Sequence, residues 1–240
     1  MTFTDLFKKG QCFMQNYQQY STSTASGAVV RNRVLRNTYT LLAVSLVPTV
    51  LGALLALKLD LFTTMSPMMS TIIFFVGAFG LMFMVEKNRN SAAGVGFLLL
   101  FTFFMGLMLS RILSVVLSLN HGADIVAMAF GGTAVIFAAM ATIANVAKRD
   151  FTFMGKALFM GVVVLILASL ANLFFQLPAL ALAVSVAATV IFSLFILVDV
   201  QRIVNGGETN YISATLALYL DIYNVFVSLL QILGITSSND

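Results

Sequence analysis

The chain has 240 residues, 60% hydrophobic and 9% charged, and its mean hydropathy is +1.00. Soluble domains run at about 45–50% apolar and about 25% charged, and a soluble fold of this size has too little interior to hide the excess. That excludes a soluble enzyme and a disordered chain. With Cys12 and His121 as the single cysteine and histidine, it also excludes a disulfide scaffold and a multi-histidine metal site. The net charge of +4 does not point to nucleic acid, because the bases sit in short loops beside apolar runs and form no face with interleaved aromatics.

The first 38 residues are polar, with Gln11, Gln15, Gln18 and Gln19 followed by Ser21 to Gly27. They hold no apolar h-region, so they do not read as a cleaved signal peptide. They read as a disordered cytoplasmic tail that another protein can also grip. Seven apolar runs of spanning length follow: Tyr39–Leu57, Met65–Val85, Gly94–Leu119, Ala123–Ala147, Ala157–Gln176, Ala179–Val204 and Tyr211–Leu233. The breaks carry charges or turn residues, among them Lys58-Leu59-Asp60, Glu86–Ser91, Leu177-Pro178 and Asn205–Glu208. A β-barrel needs alternating segments near ten residues long, and these runs are unbroken and about twice that. The predicted fold is therefore an all-α membrane protein, a seven-transmembrane-helix bundle over residues 39–234 with a short external tail at 235–240. No internal repeat stands out, which disfavours a two-halved transporter.

Orientation follows from the bases. With the N-terminus inside, the inner segments hold Lys8, Lys9, Arg31, Arg33, Arg36, Lys87, Arg89, Lys148, Arg149, Lys156 and Arg202, which is 11 of the 13 lysines and arginines. Lys58 alone lies outside and Arg111 lies within a span. The positive-inside rule then predicts a cytoplasmic N-terminus and an external C-terminus.

Ionisable residues inside spans are costly, at roughly 2.5–3.5 kcal/mol on insertion scales, and so mark function by default. There are three: Arg111, Asp199 and Asp221. Asp221 sits about 15 Å into the last span. It shares a polar stripe with Asn224, Ser228 and Gln231, continued by Ser213 and Ala217, so the last span is predicted to be central. Asp199 lies near the inner end of the sixth span. Residue counting leaves the two acids one to two turns apart in depth. If they meet, they share a proton and form a proton-sensitive latch. The blander readings are an Asp199 that snorkels or pairs with Arg202, and an inert Asp221. Arg111 either snorkels outward past Ser118 or points inward and compensates Asp221. Ser114 and Ser118, with Ser169, Asn172 and Gln176 on the fifth span, suggest a polar vestibule. Gly77, Gly80, Gly106, Gly131, Gly132 and Gly161 read as close-packing sites between helices, and His121 as a solvated loop residue.

No enzyme signature fits. Paired aspartates on late spans are the chemistry of intramembrane proteolysis, but the contexts Leu197-Val198-Asp199 and Tyr219-Leu220-Asp221 match neither of its acid motifs. Pro178-Ala179-Leu180 matches its third motif but precedes both acids, where the motif should follow them. There is no His-Glu-x-x-His, Gly-x-Ser-x-Gly or phosphate loop.

From Arg33 onward the chain resembles the Bax inhibitor-1 family, also called the transmembrane Bax inhibitor motif family. The residues that carry this are Val34-Leu35-Arg36-Asn37-Thr38-Tyr39, Ala129 through Phe137, Gly206-Gly207-Glu208-Thr209-Asn210-Tyr211-Ile212, and Leu218-Tyr219-Leu220-Asp221-Ile222-Tyr223-Asn224. The resemblance implies a seven-span bundle with the last helix at its centre. For channel-like members it implies a pH-sensitive leak of calcium, as transported ion rather than cofactor. Asp199 and Asp221 match the gating pair and the transient cation site, with Lys87 or Arg89 as the basic latch. Ser110-Arg111-Ile112-Leu113 departs from the family's Gly-Pro-x-Leu and sets a positive charge near the cation route. Bacterial inner-membrane members are instead modulators of the membrane protease FtsH, gripped by their cytoplasmic N-terminal tail. The resemblance therefore implies a protease-modulating binding partner, with a proton-gated cation leak as the alternative. The oligomeric state is not legible.

Overall fold

A computed structural model describes residues 32–60, 65–147 and 149–237. The predicted tail up to residue 31 and the last three residues lie outside this description. Among the described residues, seven helices are long and apolar enough to cross a membrane: α1 (Asn32–Lys58), α2 (Pro67–Lys87), α3 (Ala92–Leu117), α4 (Gly122–Val146), α5 (Gly155–Phe175), α6 (Pro178–Val204) and α7 (Tyr211–Ser237). A short 3₁₀ turn, Thr152–Met154, leads into α5. No strand occurs among the described residues.

The predicted spans all appear, with two boundary corrections. α1 is already helical at Asn32, the first described residue, ahead of the predicted Tyr39 and inside what reads as polar tail. Val34, Thr38, Leu41, Leu42, Ser45, Thr49, Ala53 and Ala56 are all buried, a stripe at helical spacing. Arg33 and Arg36 fall on the exposed side. The basic residues that mask this segment in a hydropathy reading thus occupy one face of a helix whose other face packs. At the other end, α7 continues to Ser237, past the predicted Leu233.

α7 is the centre of the bundle. It packs against α2, α3, α4 and α6 and reaches α1 through Tyr219 and Thr215. Its buried side chains lie on several faces, including Ile212, Leu218, Tyr219, Val225 and Leu230, which is what a surrounded helix requires. α5 is the opposite case: among α2–α7 it touches only α6. Of its residues only Leu158 and Leu165 are buried, so nearly its whole surface is apolar and outward-facing.

Helix α1 crosses α3 at backbone distance. A Cβ added at Gly106 would lie 2.0 Å from the carbonyl oxygen of Thr49, and one at Gly52 would lie 2.3 Å from that of Phe103. Gly77 is tight against the Phe104 ring, Gly161 against Ile191 and Gly132 against Leu229. Four of the six glycines predicted to be packing sites are thus confirmed. Gly80 and Gly131 are not: nothing lies within 4 Å of a Cβ at either, because both sit on exposed faces.

Candidate functional site

The α6–α7 hairpin builds the site. Gly206 takes φ +78°, the left-handed conformation that ends helices and that only glycine adopts without penalty. The N–H groups of Gly207 and Glu208 then fold back onto the carbonyl of Arg202, at 2.8 and 3.2 Å. The Asn210 side chain opens α7, its Oδ1 accepting from the N–H of Ile212 at 2.9 Å and of Ser213 at 3.3 Å. Its Nδ2 donates to the Arg89 carbonyl and to Asn90 Oδ1, each at 2.9 Å. One amide thus caps the central helix and ties the α2–α3 connection to it.

Between these antiparallel helices the carboxyl groups of Asp199 and Asp221 lie close enough to act on each other. Residue counting left a gap, and side-chain direction closes it. Every Cα–Cβ bond tilts toward its own helix's N-terminus. Asp199, near the C-terminal end of α6, therefore leans away from the hairpin, while Asp221, deeper along α7, leans toward it, and the two converge. Asp221 is buried and Asp199 half-buried. Asp221 Oδ2 is buried without a hydrogen-bond partner among the described residues. An ionised carboxylate only accepts, so a hydrogen bond between the two carboxyls would need one of them to carry a proton.

The predicted polar stripe of α7 faces inward. Ser213 and Ser228 are buried. Asn224 is half-buried and donates to its own helix at Leu220, 2.8 Å away. Gln231, although exposed, accepts from Ser185 of α6 at 2.7 Å. On the opposite side of α7, Tyr219 meets Thr49 of α1 at 2.8 Å, and Tyr223 donates to the Met105 carbonyl of α3 at 3.3 Å.

The predicted charge partners are placed differently. Arg202, one turn beyond Asp199, is the cation acting on it, and Glu208 is the further anion in reach. Neither Lys87 nor Arg89 latches Asp199. Arg89 pairs with Glu86 at 3.3 Å, Lys87 is exposed, and α2 does not pack against α6. Arg111 is half-buried on α3 and in no ion pair among the described residues. The suggested vestibule does not form. α3 and α5 do not touch, Ser169 and Gln176 are exposed, and Asn172 Oδ1 accepts from the Leu177 N–H at 2.9 Å to close the end of α5. His121 faces solvent beside Asp124, at 3.3 Å. Pro178 is simply the opening residue of α6.

Two features escaped sequence reading. Gln201, 2% exposed, clamps the α4–α5 connection: it accepts from the Phe151 N–H at 2.5 Å and donates to the Arg149 carbonyl at 2.6 Å. Its signal was a polar amide one turn from the end of an apolar run. Glu86, read only as a break residue, accepts from Ser213 of α7 at 3.2 Å and so joins α2 to the stripe. Below it, Phe79, Met82, Leu216 and Leu220 line an apolar cleft of about 510 Å³.

The pair supplies at most four carboxylate oxygens, and calcium takes six to eight ligands. No cluster of three or more His, Cys, Asp or Glu ligands occurs among the described residues.

The comparisons with known proteins agree with this architecture. The family model described as "Inhibitor of apoptosis-promoting Bax1" matches residues 31–238. The chain is 42% identical over 206 residues to the "Modulator of FtsH protease YccA" of Escherichia coli K12, covering 86% of this chain and 91% of that protein. The same identity and coverage hold for the "Inner membrane protein YccA" of Escherichia coli O6:H1. An uncharacterised membrane protein of Vibrio cholerae is 37% identical over 219 residues, 91% of this chain and 96% of that one. The matched region takes in all seven helices and both acids, and the chain belongs to the Bax inhibitor-1 family.

Proposed function

We propose that this protein is an inner-membrane regulatory partner of an FtsH-type membrane protease and acts by binding rather than by catalysis. The observation that carries this is the similarity to YccA along nearly the whole chain. The basic end of the bundle faces the cytoplasm, as the distribution of lysine and arginine demands, and the C-terminus faces the other side. The polar segment ahead of α1 is the handle the protease grips. The test is co-purification of the protease with full-length chain and with chain lacking residues 2–30, together with the turnover rate of a second membrane substrate. Association and slowed turnover that both depend on the segment support the reading. Truncation that changes neither sinks it.

A second reading is favoured by one specific juxtaposition, that of the Asp199 and Asp221 carboxyls. A proton shared between them holds two antiparallel helices together. Loss of that proton leaves two like charges in contact, which drives them apart and opens a cation path. An asparagine at position 221 donates a hydrogen bond without any proton uptake. Calcium flux into liposomes across pH 5–8 is expected to depend on pH in the wild type and to lose that dependence in Asp221→Asn. A bilayer equally tight with either protein would remove this reading and leave the first untouched.

A further inference from the structure

A cavity of about 530 Å³ opens at the basic end of the bundle between α5, α6 and the α4–α5 connection. Its walls are chemically divided. Phe159, Phe195 and Val198 form the side toward the middle of the bundle, whereas Lys156 and Arg202, with Asn205 and Thr152, form the rim. Because α5 touches only α6 among α2–α7 and exposes Phe159, Met160, Val163 and Val164, the cavity gives laterally onto the surface that apolar side chains present to the bilayer. Phe159 is itself 64% exposed.

The charges on the rim are unequal in availability. Both cations are exposed and neither is in an ion pair among the described residues. The acids are engaged within the chain. Asp150 accepts from both the N–H and the hydroxyl of Thr152 through one oxygen, at 2.9 and 2.7 Å. Asp199 faces Asp221 and is acted on by Arg202, and Glu208 accepts from the Asn210 N–H at 2.8 Å. Two exposed cations, neither in an ion pair among the described residues, therefore sit over an apolar wall near the start of α5 and the end of α6.

We propose that this cavity is a binding site for one anionic phospholipid, its phosphate between Lys156 and Arg202 and an acyl chain along Phe159, Phe195 and Val198. A cation pair alone fits any phosphate. The apolar wall and its opening toward the bilayer select the lipid, since a soluble anion gains nothing from three hydrocarbon surfaces. The site is independent of protease modulation, and it shares Asp199 with the carboxyl pair.

The test uses the full-length chain in nanodiscs of equal phosphatidylcholine and phosphatidylglycerol, released into the gas phase for native mass spectrometry of retained lipid. Phosphatidylglycerol is expected to be retained over phosphatidylcholine. Lys156→Gln and Arg202→Gln are each expected to lower its retention about fivefold, while Lys156→Arg keeps it. Lys58→Gln, an exposed cation at the far end of α1, is the control and is expected to change nothing. The proposal is overturned by equal retention of the two lipids, by equal loss in the Lys58 variant, or by displacement of the lipid with millimolar inorganic phosphate. The last outcome would mark a soluble-anion site. Circular dichroism of each variant separates loss of the site from loss of the fold.

Discussion

The backbone crossing of α1 and α3 allows the same chemical change to be predicted with opposite signs at two places. Alanine at Gly106 places its Cβ 2.0 Å from the Thr49 carbonyl oxygen, and 2.8 and 2.9 Å from that residue's carbonyl carbon and Cα. These are backbone atoms and cannot rotate aside, so α1 must recede by about 1 Å to restore the 3.0 Å that real Cβ contacts respect. That movement carries Thr49 Oγ1 out of reach of Tyr219, now 2.8 Å away, since hydrogen bonds weaken beyond about 3.2 Å. Overpacking of this kind costs about 1–3 kcal/mol, and the lost hydrogen bond about 1 kcal/mol. Against this stands the gain of about 1 kcal/mol for replacing glycine by alanine within a helix. The net is a destabilisation of about 1–3 kcal/mol. Gly80→Ala meets nothing within 4 Å and keeps only the propensity gain, so it is expected to be neutral or stabilising by up to about 1 kcal/mol. Unfolding in mixed micelles with increasing sodium dodecyl sulfate, followed by far-ultraviolet circular dichroism, measures both. If Gly106→Ala proves as stable as Gly80→Ala, the close approach of α1 and α3 is wrong.

Gln201→Ala is expected to cost about 2 kcal/mol, because it leaves the Phe151 N–H and the Arg149 carbonyl without their partner. Proteolysis should then cut the α4–α5 connection faster in the variant, and equal cutting would refute the clamp. Asp150 lies outside the spans, and its hydrogen bonds from the Thr152 hydroxyl and N–H hold its carboxyl below the usual carboxylate range. Its contribution is therefore present at neutral pH and is lost as the pH falls through that lowered value. Asp150→Ala should differ from wild type in melting temperature at pH 7 and converge with it in strong acid; a difference independent of pH would contradict this. Asn210→Ala removes both the cap of α7 and the tether to Arg89 and Asn90 and is expected to lose about 1–2 kcal/mol, whereas Asn210→Asp keeps the cap and should lose less in the same micelle titration.

The acids were conspicuous in the sequence because of their solvent. A carboxylate within an apolar run needs no structure to be recognised as out of place, and the stripe of Asp221, Asn224, Ser228 and Gln231 placed α7 at the centre before any contact was known. The distance between Asp199 and Asp221 was not conspicuous. Counting along the chain measures Cα depth, and their meeting depends on side chains that tilt in opposite directions on antiparallel helices. The basic latch failed for a related reason. Lys87 and Arg89 are correctly placed at the end of α2, but α2 packs on α3 and α7 rather than α6.

Sequence alone determined how many times the chain crosses a bilayer, which groups are expensive to place there, and which end carries the bases. Each of these is a property of one segment and its solvent, summed residue by residue. Only the tertiary structure decided that Thr38, Ser45 and Thr49 face a neighbour, that Gln201 reaches a connection some fifty positions away, and that α5 stands at the periphery. Those are properties of pairs of helices, set by rotation and tilt. Hydropathy is nearly blind to both, because a lipid tail and a buried leucine are equally apolar neighbours.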